Sequence, residues 1–306
     1  MNNIIEKINK LRKERNAIIL AHYYQESTIQ DIADFLGDSL ALAQAAKTTN
    51  ADVIVFCGVH FMAETAKILN PEKIVLVPDL NAGCSLADSA PPDKFAKWVA
   101  DHPDHIVISY INCSAQVKAM SDIICTSSNA VKIVNSVPLD KKICFAPDKY
   151  LADYVRKQTK RDMVIWDGTC QVHETFSETE LVKLMIKYPK AKVLAHPECP
   201  DNLLAYAHFI GSTTGIINKA TNSNDNEFII LTETGIIHQL KKKNPDKIFY
   251  TVPDLSGCNC NNCPYMKLNT PEKILAALET LEPQIHLSED IIKKALIPLE
   301  RMLEIV

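Results

Sequence analysis

Three short segments of this chain close in nearly the same way at nearly the same interval. Ala21-His22-Tyr23-Tyr24, Ser109-Tyr110-Ile111-Asn112-Cys113 and Ala195-His196-Pro197-Glu198-Cys199 each end an apolar run, and His22, Tyr110 and His196 stand 88 and 86 residues apart. Seventeen residues beyond each comes a hydroxyl, at Ser39, Ser127 and Thr213, again 88 and 86 apart. Another apolar run ends at Cys57, Cys144 and Leu231, 34 or 35 residues on, and a further one at Val77, Trp166 and Val252, 55 or 56 residues on. The turns Pro78-Asp79, Asp167-Gly168 and Pro253-Asp254 follow, and then cysteines: Cys84, Cys170 and the group Cys258, Cys260, Cys263. Several landmarks sharing one offset are the mark of internal repetition. The 306 residues read as three homologous units: 1–103 with an N-terminal helix, 104–189, and 190–306 with C-terminal helices.

Each unit alternates short apolar runs with helical stretches. Strands are expected at Ala17–Ala21, Val53–Phe56, Ile74–Val77, His105–Ser109, Ile123–Cys125, Lys142–Phe145, Met163–Trp166, Lys192–Ala195, Phe209–Gly211, Phe228–Leu231 and Lys247–Thr251. Many are continuously apolar, as strands covered on both faces must be. Helices are expected at Ser39–Thr49, Met62–Leu69, Asn129–Ser136, Lys149–Lys157 and Ser177–Lys187, the last opened by a Ser177/Glu180 capping box. Ile4, Ile5, Ile8 and Leu11 recur at helical spacing and give Met1–Asn16 an amphipathic surface helix. The fold class is therefore α/β: three αβα units with parallel sheets around a pseudo-threefold axis, and the active site at their central junction.

Composition removes several functions. A net charge of -4 leaves no electrostatic footprint for nucleic acid or a membrane surface. The one basic run, Lys241–Lys243, reads as a solvated helix end. No uncharged apolar run nears the roughly 18 residues of a membrane span. The first segment carries Glu6 and lacks a cleavage site, so it is not a signal peptide, and a cytoplasmic setting with reduced thiols is expected. Eight glycines include no G-x-G-x-x-G or P-loop, which disfavours nucleotide binding by those devices.

In parallel α/β sheets ligands sit beyond the carboxyl ends of the strands, where all the repeated landmarks fall. Three thiolates converging there suit a metal. Structural zinc draws on close cysteine pairs, which Cys84 and Cys170 lack. An iron–sulfur cluster is usually held by four cysteines, and three leave one iron open as a Lewis acid. Cys57, Cys125 and Cys144 lie inside apolar strands and read as core thiols; Cys113 and Cys199 fall just past strand ends and read the same way. Ser39, Ser127 and Thr213 stand near helix starts, where a hydroxyl, free N–H groups and the helix dipole favour an anion. His22, Tyr24, Tyr110, Asn112, His196 and Glu198 add donors and acid–base groups. His173, three residues past Cys170, supports that ligand.

These residues together resemble a known family. Ala21-His22-Tyr23-Tyr24-Gln25, Gly37-Asp38-Ser39, Gly83-Cys84-Ser85, Tyr110-Ile111-Asn112, Gly168-Thr169-Cys170-Gln171-Val172-His173, His196-Pro197-Glu198-Cys199 and Cys263-Pro264-Tyr265-Met266-Lys267 are similar to the motifs of quinolinate synthase, over nearly the whole chain. The resemblance implies a cytoplasmic enzyme of NAD biosynthesis that condenses iminoaspartate with dihydroxyacetone phosphate to quinolinate, phosphate and water. It implies a 4Fe-4S cluster on Cys84, Cys170 and Cys263 with one open iron, and a functional link to an aspartate-oxidising enzyme supplying iminoaspartate. It places His22, Ser39, Tyr110, Ile111, Asn112, Ser127, His173, His196, Pro197, Glu198, Ser212 and Thr213 at the substrate. Of these His22, Tyr110, His196 and Glu198, joined by Tyr24, form the catalytic set.

One departure leaves the third ligand open. Some members carry C-x2-C-x2-C near the C-terminus, whereas here the pattern is Cys258-x-Cys260-x2-Cys263. Repeat counting prefers Cys258, which follows His196 by 62 residues as Cys84 follows His22; the family motif prefers Cys263, at 67. Whether Cys258 and Cys260 form a redox disulfide is open too. Other classes share one cysteine per repeat: the reductase acting on hydroxymethylbutenyl diphosphate, the diphthamide-synthesis radical enzyme, and a non-enzymatic metal- or anion-binding protein.

Overall fold

The computed structural model describes residues 2–255 and 261–305, so Cys258 and Cys260 lie outside the described residues. Twelve described strands form three sheets of four. The first sheet holds β1 (Ala17–His22), β2 (Phe35–Gly37), β3 (Val53–Cys57) and β4 (Ile74–Leu76) in the order β2-β1-β3-β4. The second holds β5 (His105–Tyr110), β6 (Ile123–Cys125), β7 (Lys142–Ala146) and β8 (Val164–Ile165), in the order β6-β5-β7-β8. The third holds β9 (Lys192–Ala195), β10 (Phe209–Ile210), β11 (Glu227–Leu231) and β12 (Ile248–Thr251), in the order β10-β9-β11-β12. Every pair within these sheets is parallel.

The repeat survives at residue level. Ala21 pairs with Leu36 and Cys57, Ser109 with Ile124 and Ala146, and Ala195 with Ile210 and Leu231. Each sheet reverses its winding between its two central strands, which is where such folds open a ligand crevice. The sequence reading missed β2. That strand is three residues long, and Phe35 on it is 39% exposed, so no apolar run announces it.

Side chains along the buried central strands alternate between two cores, with the two-residue period of a pleated sheet. Leu20, Ile54 and Phe56 join one large core that also takes Ile108, Ile143, Phe145, Leu194, Phe228 and Ile230. Their neighbours turn away into three smaller cores, one behind each sheet: Ile19, Val55 and Cys57; Val107, Cys144 and Ala146; Val193, Ile229 and Leu231. Helices of the same unit share that large core, as Leu42 and Ala43 of Ser39–Thr48 and Met62 and Ala66 of His60–Leu69 do in the first, and it runs through all three units. Cys57, Cys113, Cys125, Cys144 and Cys199 are fully buried, as core thiols should be.

Helices cover the outer faces. Asn2–Glu14 buries Ile8 and packs Ile4 and Leu11 in the core behind the first sheet, beside Ile274 and Leu278 of the helix Pro271–Thr280. The helix Glu178–Lys187 is capped by Ser177, whose Oγ accepts from the Glu180 N–H at 3.3 Å. Lys241–Lys243 do end a helix, Ile236–Lys243. The C-terminal helix Glu289–Glu304 packs against β6 and the helices His60–Leu69 and Ala115–Ala119, tying the first sheet's layers to the second's. No helix among the described residues is long and apolar enough to cross a membrane.

Candidate active site

A pocket opens at the carboxyl ends of the strands and is lined from all three sheets. The first unit contributes His22, Tyr24 and Ser39, the second Tyr110, Asn112 and Ser127, and the third His196, Glu198 and Thr213. His173, Cys84, Cys170 and Cys263 complete the wall. Ile111, Pro197 and Ser212 are not among the lining residues. Ile111 is packed in the shared core, and Ser212 caps a helix.

Two of the strand ends use one device. The Tyr24 N–H donates to His22 Nδ1 at 3.1 Å, and the Glu198 N–H donates to His196 Nδ1 at 3.4 Å. An imidazole that accepts at Nδ1 while neutral carries its proton on Nε2. His196 Nε2 accordingly faces Ser127 Oγ at 3.1 Å. Burial lowers the His22 pKa to about 4, against the opposing pull of Asp38 and Glu198, and lowers that of His196 to about 3. Both are neutral hydrogen-bond donors at pH 7.

Glu198 sits between two donors. Tyr110 Oη donates to Oε1 at 2.5 Å, and His173 Nδ1 lies 2.7 Å from Oε2. Burial pushes its carboxyl up, but His173, His196 and the two hydrogen bonds outweigh that and hold it at about 2, as carboxylate. The His173 and His196 rings stack 4.8 Å apart. Tyr24 meets only hydroxyls: its Oη lies 2.9 Å from Thr213 Oγ1 and 2.7 Å from Thr232 Oγ1. Burial raises Tyr24 and Tyr110 well above the ordinary tyrosine range, so both are acids with protons to keep or lend.

The hydroxyls expected to bind anions fall in three settings. Ser39 and Thr213 are the first residues of the helices Ser39–Thr48 and Thr213–Asn222. Capping is done one residue earlier, by Asp38 accepting from the Ala41 N–H and Ser212 from the Gly215 N–H, so those two side chains are not needed as caps. Ser127 lies three residues ahead of the helix Ala130–Ser136, in the turn closed by Thr126 and Asn129. Asp38 Oδ2 also accepts from Ser128 Oγ at 3.2 Å and the Thr214 N–H at 3.4 Å, joining the three units at the pocket floor. Asn112 Oδ1 is buried without a hydrogen-bond partner, as a group awaiting a ligand would be.

The three cysteines share a local architecture. Cys84 and Cys170 cap the short helices Ser85–Asp88 and Gln171–Glu174, and Cys263 precedes the turn Met266–Leu268. At each, the N–H groups two and three residues ahead favour the thiolate: Leu86 and Ala87, Val172 and His173, Tyr265 and Met266. Burial still dominates, raising Cys84 to about 12, Cys263 to about 11, and Cys170 well above its usual value. Cys84, Cys170 and Cys263 all line the one pocket. The one described group whose ligand atoms all fall within 4.8 Å is Cys170, His173 and Glu198, not the three sulfurs. Ligands of a single tetrahedral ion at about 2.3 Å would lie closer together than that. Three thiols that line one pocket from three units, without forming such a group, fit a cluster better than one ion.

Close backbone approaches hold these groups. A Cβ at Gly168 would collide with Pro147 O, so only glycine lets the Cys170 segment pass there. A Cβ at Gly235 would meet Tyr24 Cα at 2.8 Å. Sequence reasoning missed Asp38, Thr232 and Glu233 as site residues. Glu233 accepts from the Cys263 N–H at 3.2 Å and the Gly235 N–H at 2.6 Å, and pairs with Lys267 at 3.2 Å. The only signal was position: Thr232 and Glu233 follow directly on β11, at the crevice.

The family profile described as "NadA: Quinolinate synthetase A protein" matches residues 6–304. The chain belongs to the quinolinate synthase family. It is 59% identical over 302 residues to the quinolinate synthase of Microcystis aeruginosa, covering 99% of this chain and 95% of the relative. To that of Nostoc punctiforme it is 61% identical over 302 residues, covering 99% and 93%, and to that of Prochlorococcus marinus 61% over 296 residues, covering 97% and 89%. Membership in the quinolinate synthase family sets aside the reductase, the diphthamide enzyme and the non-enzymatic binding protein.

Proposed function

We propose that the chain catalyses quinolinate synthesis in the cytoplasm: condensation of iminoaspartate with dihydroxyacetone phosphate, releasing phosphate and water, on a 4Fe-4S cluster held by Cys84, Cys170 and Cys263. The units 1–103, 104–189 and 190–306 would each supply one ligand, and an aspartate-oxidising enzyme would supply iminoaspartate. Three cysteines lining one pocket, one beyond each sheet, opposite the His22, Tyr110 and His196 strand ends carry this reading.

When bound, the cluster would supply a Lewis acid beside the pocket. The side chains do the rest. Ser39 and Thr213, with the amides of their helix starts, neutralise carboxylate and phosphate oxygens, and Ser127 and Asn112 complete the cradle. His22 donates from Nε2, and His196 orients Ser127. Glu198, held as carboxylate, takes a proton from substrate carbon and returns it to oxygen; Tyr24 and Tyr110 lend theirs where negative charge grows.

Anaerobic purification followed by iron and sulfide analysis and an assay of quinolinate tests this. Brown protein with equal iron and sulfide and measurable quinolinate is the expected result. Colourless protein bearing zinc, or brown protein that makes none, overturns it. Cys263→Ser should lose the cluster and all activity; if it keeps both, Cys263 is not the third ligand.

A further inference from the structure

Thr232 lies one residue past β11, is 1% exposed, and is not among the residues lining the pocket. Its hydroxyl nevertheless has two partners: Tyr24 Oη at 2.7 Å and His173 Nε2 at 2.9 Å. His173 Nδ1 in turn lies 2.7 Å from Glu198 Oε2 and 3.3 Å from Cys170 Sγ, and Tyr24 Oη lies 2.9 Å from Thr213 Oγ1. Thr213, Tyr24, Thr232, His173 and Glu198 thus form a single chain of buried polar contacts, with Thr232 at its centre.

The fold itself does not ask for a hydroxyl here. Cys57, Ala146 and Leu231 pair with equivalent positions of β1, β5 and β9, so the residues corresponding to Thr232 are Gly58 and Pro147. Neither can make these bonds. Only the third unit, which carries Glu198, has one.

We propose that Thr232 is a positioning residue for the reaction: its hydroxyl, bonded to both His173 Nε2 and Tyr24 Oη, fixes the ring that faces Glu198 and the place of the Tyr24 hydroxyl. This rests on the quinolinate synthase reading above. Losing an orienting group behind a reactive one typically costs roughly 10–100-fold.

Thr232→Val keeps the shape and removes the hydroxyl; Thr232→Ser keeps the hydroxyl and removes the methyl. Thr232→Val should retain wild-type iron and sulfide and KM values within about twofold, while kcat falls by roughly 10–100-fold. Thr232→Ser should recover kcat to within about threefold. In histidine-¹⁵N-labelled protein, the His173 resonances, assigned by their loss in His173→Gln, should coincide in wild type and Thr232→Ser but shift in Thr232→Val. Should the valine variant not fold, Thr232→Ala is measured in its place. Wild-type kcat without the hydroxyl, a serine variant as poor as valine, a loss confined to KM, or unchanged His173 resonances in Thr232→Val would each overturn the proposal. If the wild-type protein makes no quinolinate, the reaction assigned above fails, while the His173 resonances still decide the role of Thr232.

Discussion

The strand ends at His22 and His196 begin alike and finish differently. Both fold an imidazole back onto the N–H two residues ahead, and both keep that imidazole neutral by burial. The donor of that N–H is Tyr24 in one and Glu198 in the other. Tyr24 is enclosed by hydroxyls and stays protonated; Glu198 is enclosed by Tyr110 and His173 and stays ionised. The backbone supplies position, and one side chain with its neighbours supplies acid or base character. The third strand end shows how far the pattern bends. Tyr110 replaces the imidazole and reaches across to Glu198, while Asn112, at the place of Tyr24 and Glu198, leaves its oxygen unpaired.

The sharpest way to break this comparison is Glu198→Gln, which keeps size and removes charge. It should fold and keep its iron and sulfide but lose roughly 10²–10⁴-fold in kcat. A variant that turns over normally would remove the base from the third unit. Tyr24→Phe should cost less, roughly 10–100-fold, because Tyr110 can still lend a proton. If it costs as much as Glu198→Gln, the two strand ends carry equal weight and the division of labour is wrong.

The shared device is tested by acid. The unfolded state takes up protons on these histidines below about pH 6.5, whereas folded His22 and His196 resist to about 4 and 3. Their contribution to stability is therefore complete above about pH 6.5 and is lost as pH falls through the folded values. Between pH 7 and pH 5 the loss should be about 1–2 kcal/mol for each. Denaturant unfolding of wild type, His22→Gln and His196→Gln at several pH values should show both variants flatter than wild type. One flat and one steep would mean that the two imidazoles are held differently. Smallest of all, Asn112→Ala should raise a substrate KM by about 3–10-fold with kcat nearly unchanged, since it loses one hydrogen bond of about 1 kcal/mol. A fall in kcat alone would place Asn112 with the acid–base groups instead.

Much of this arrangement was legible because repetition multiplies weak signals. His22, Tyr110 and His196, and Ser39, Ser127 and Thr213, were readable by spacing, and all reach the pocket. The unread strand β2 was available by the same logic. Its counterparts β6 and β10 are apolar enough to read, and the common offset points back to Phe35–Gly37. Asp38, Thr232 and Glu233 were not read as site residues. Asp38 acts by bonding across units, and Thr232 matches a glycine and a proline in the other two. A repeat exposes what its copies have in common and hides what one copy has alone.

The shared core also bears on modularity. Each third of the chain has a complete sheet; in the first, the unit's own helices Ser39–Thr48 and His60–Leu69 pack with Leu20, Ile54 and Phe56, and that core runs on into the other two thirds. A ring of three identical copies would bring three matching strand ends to one centre. Joined in a single chain, the copies are free to differ, and a pocket that would otherwise be threefold alike can hold a tyrosine, an asparagine and a glutamate at its three equivalent corners.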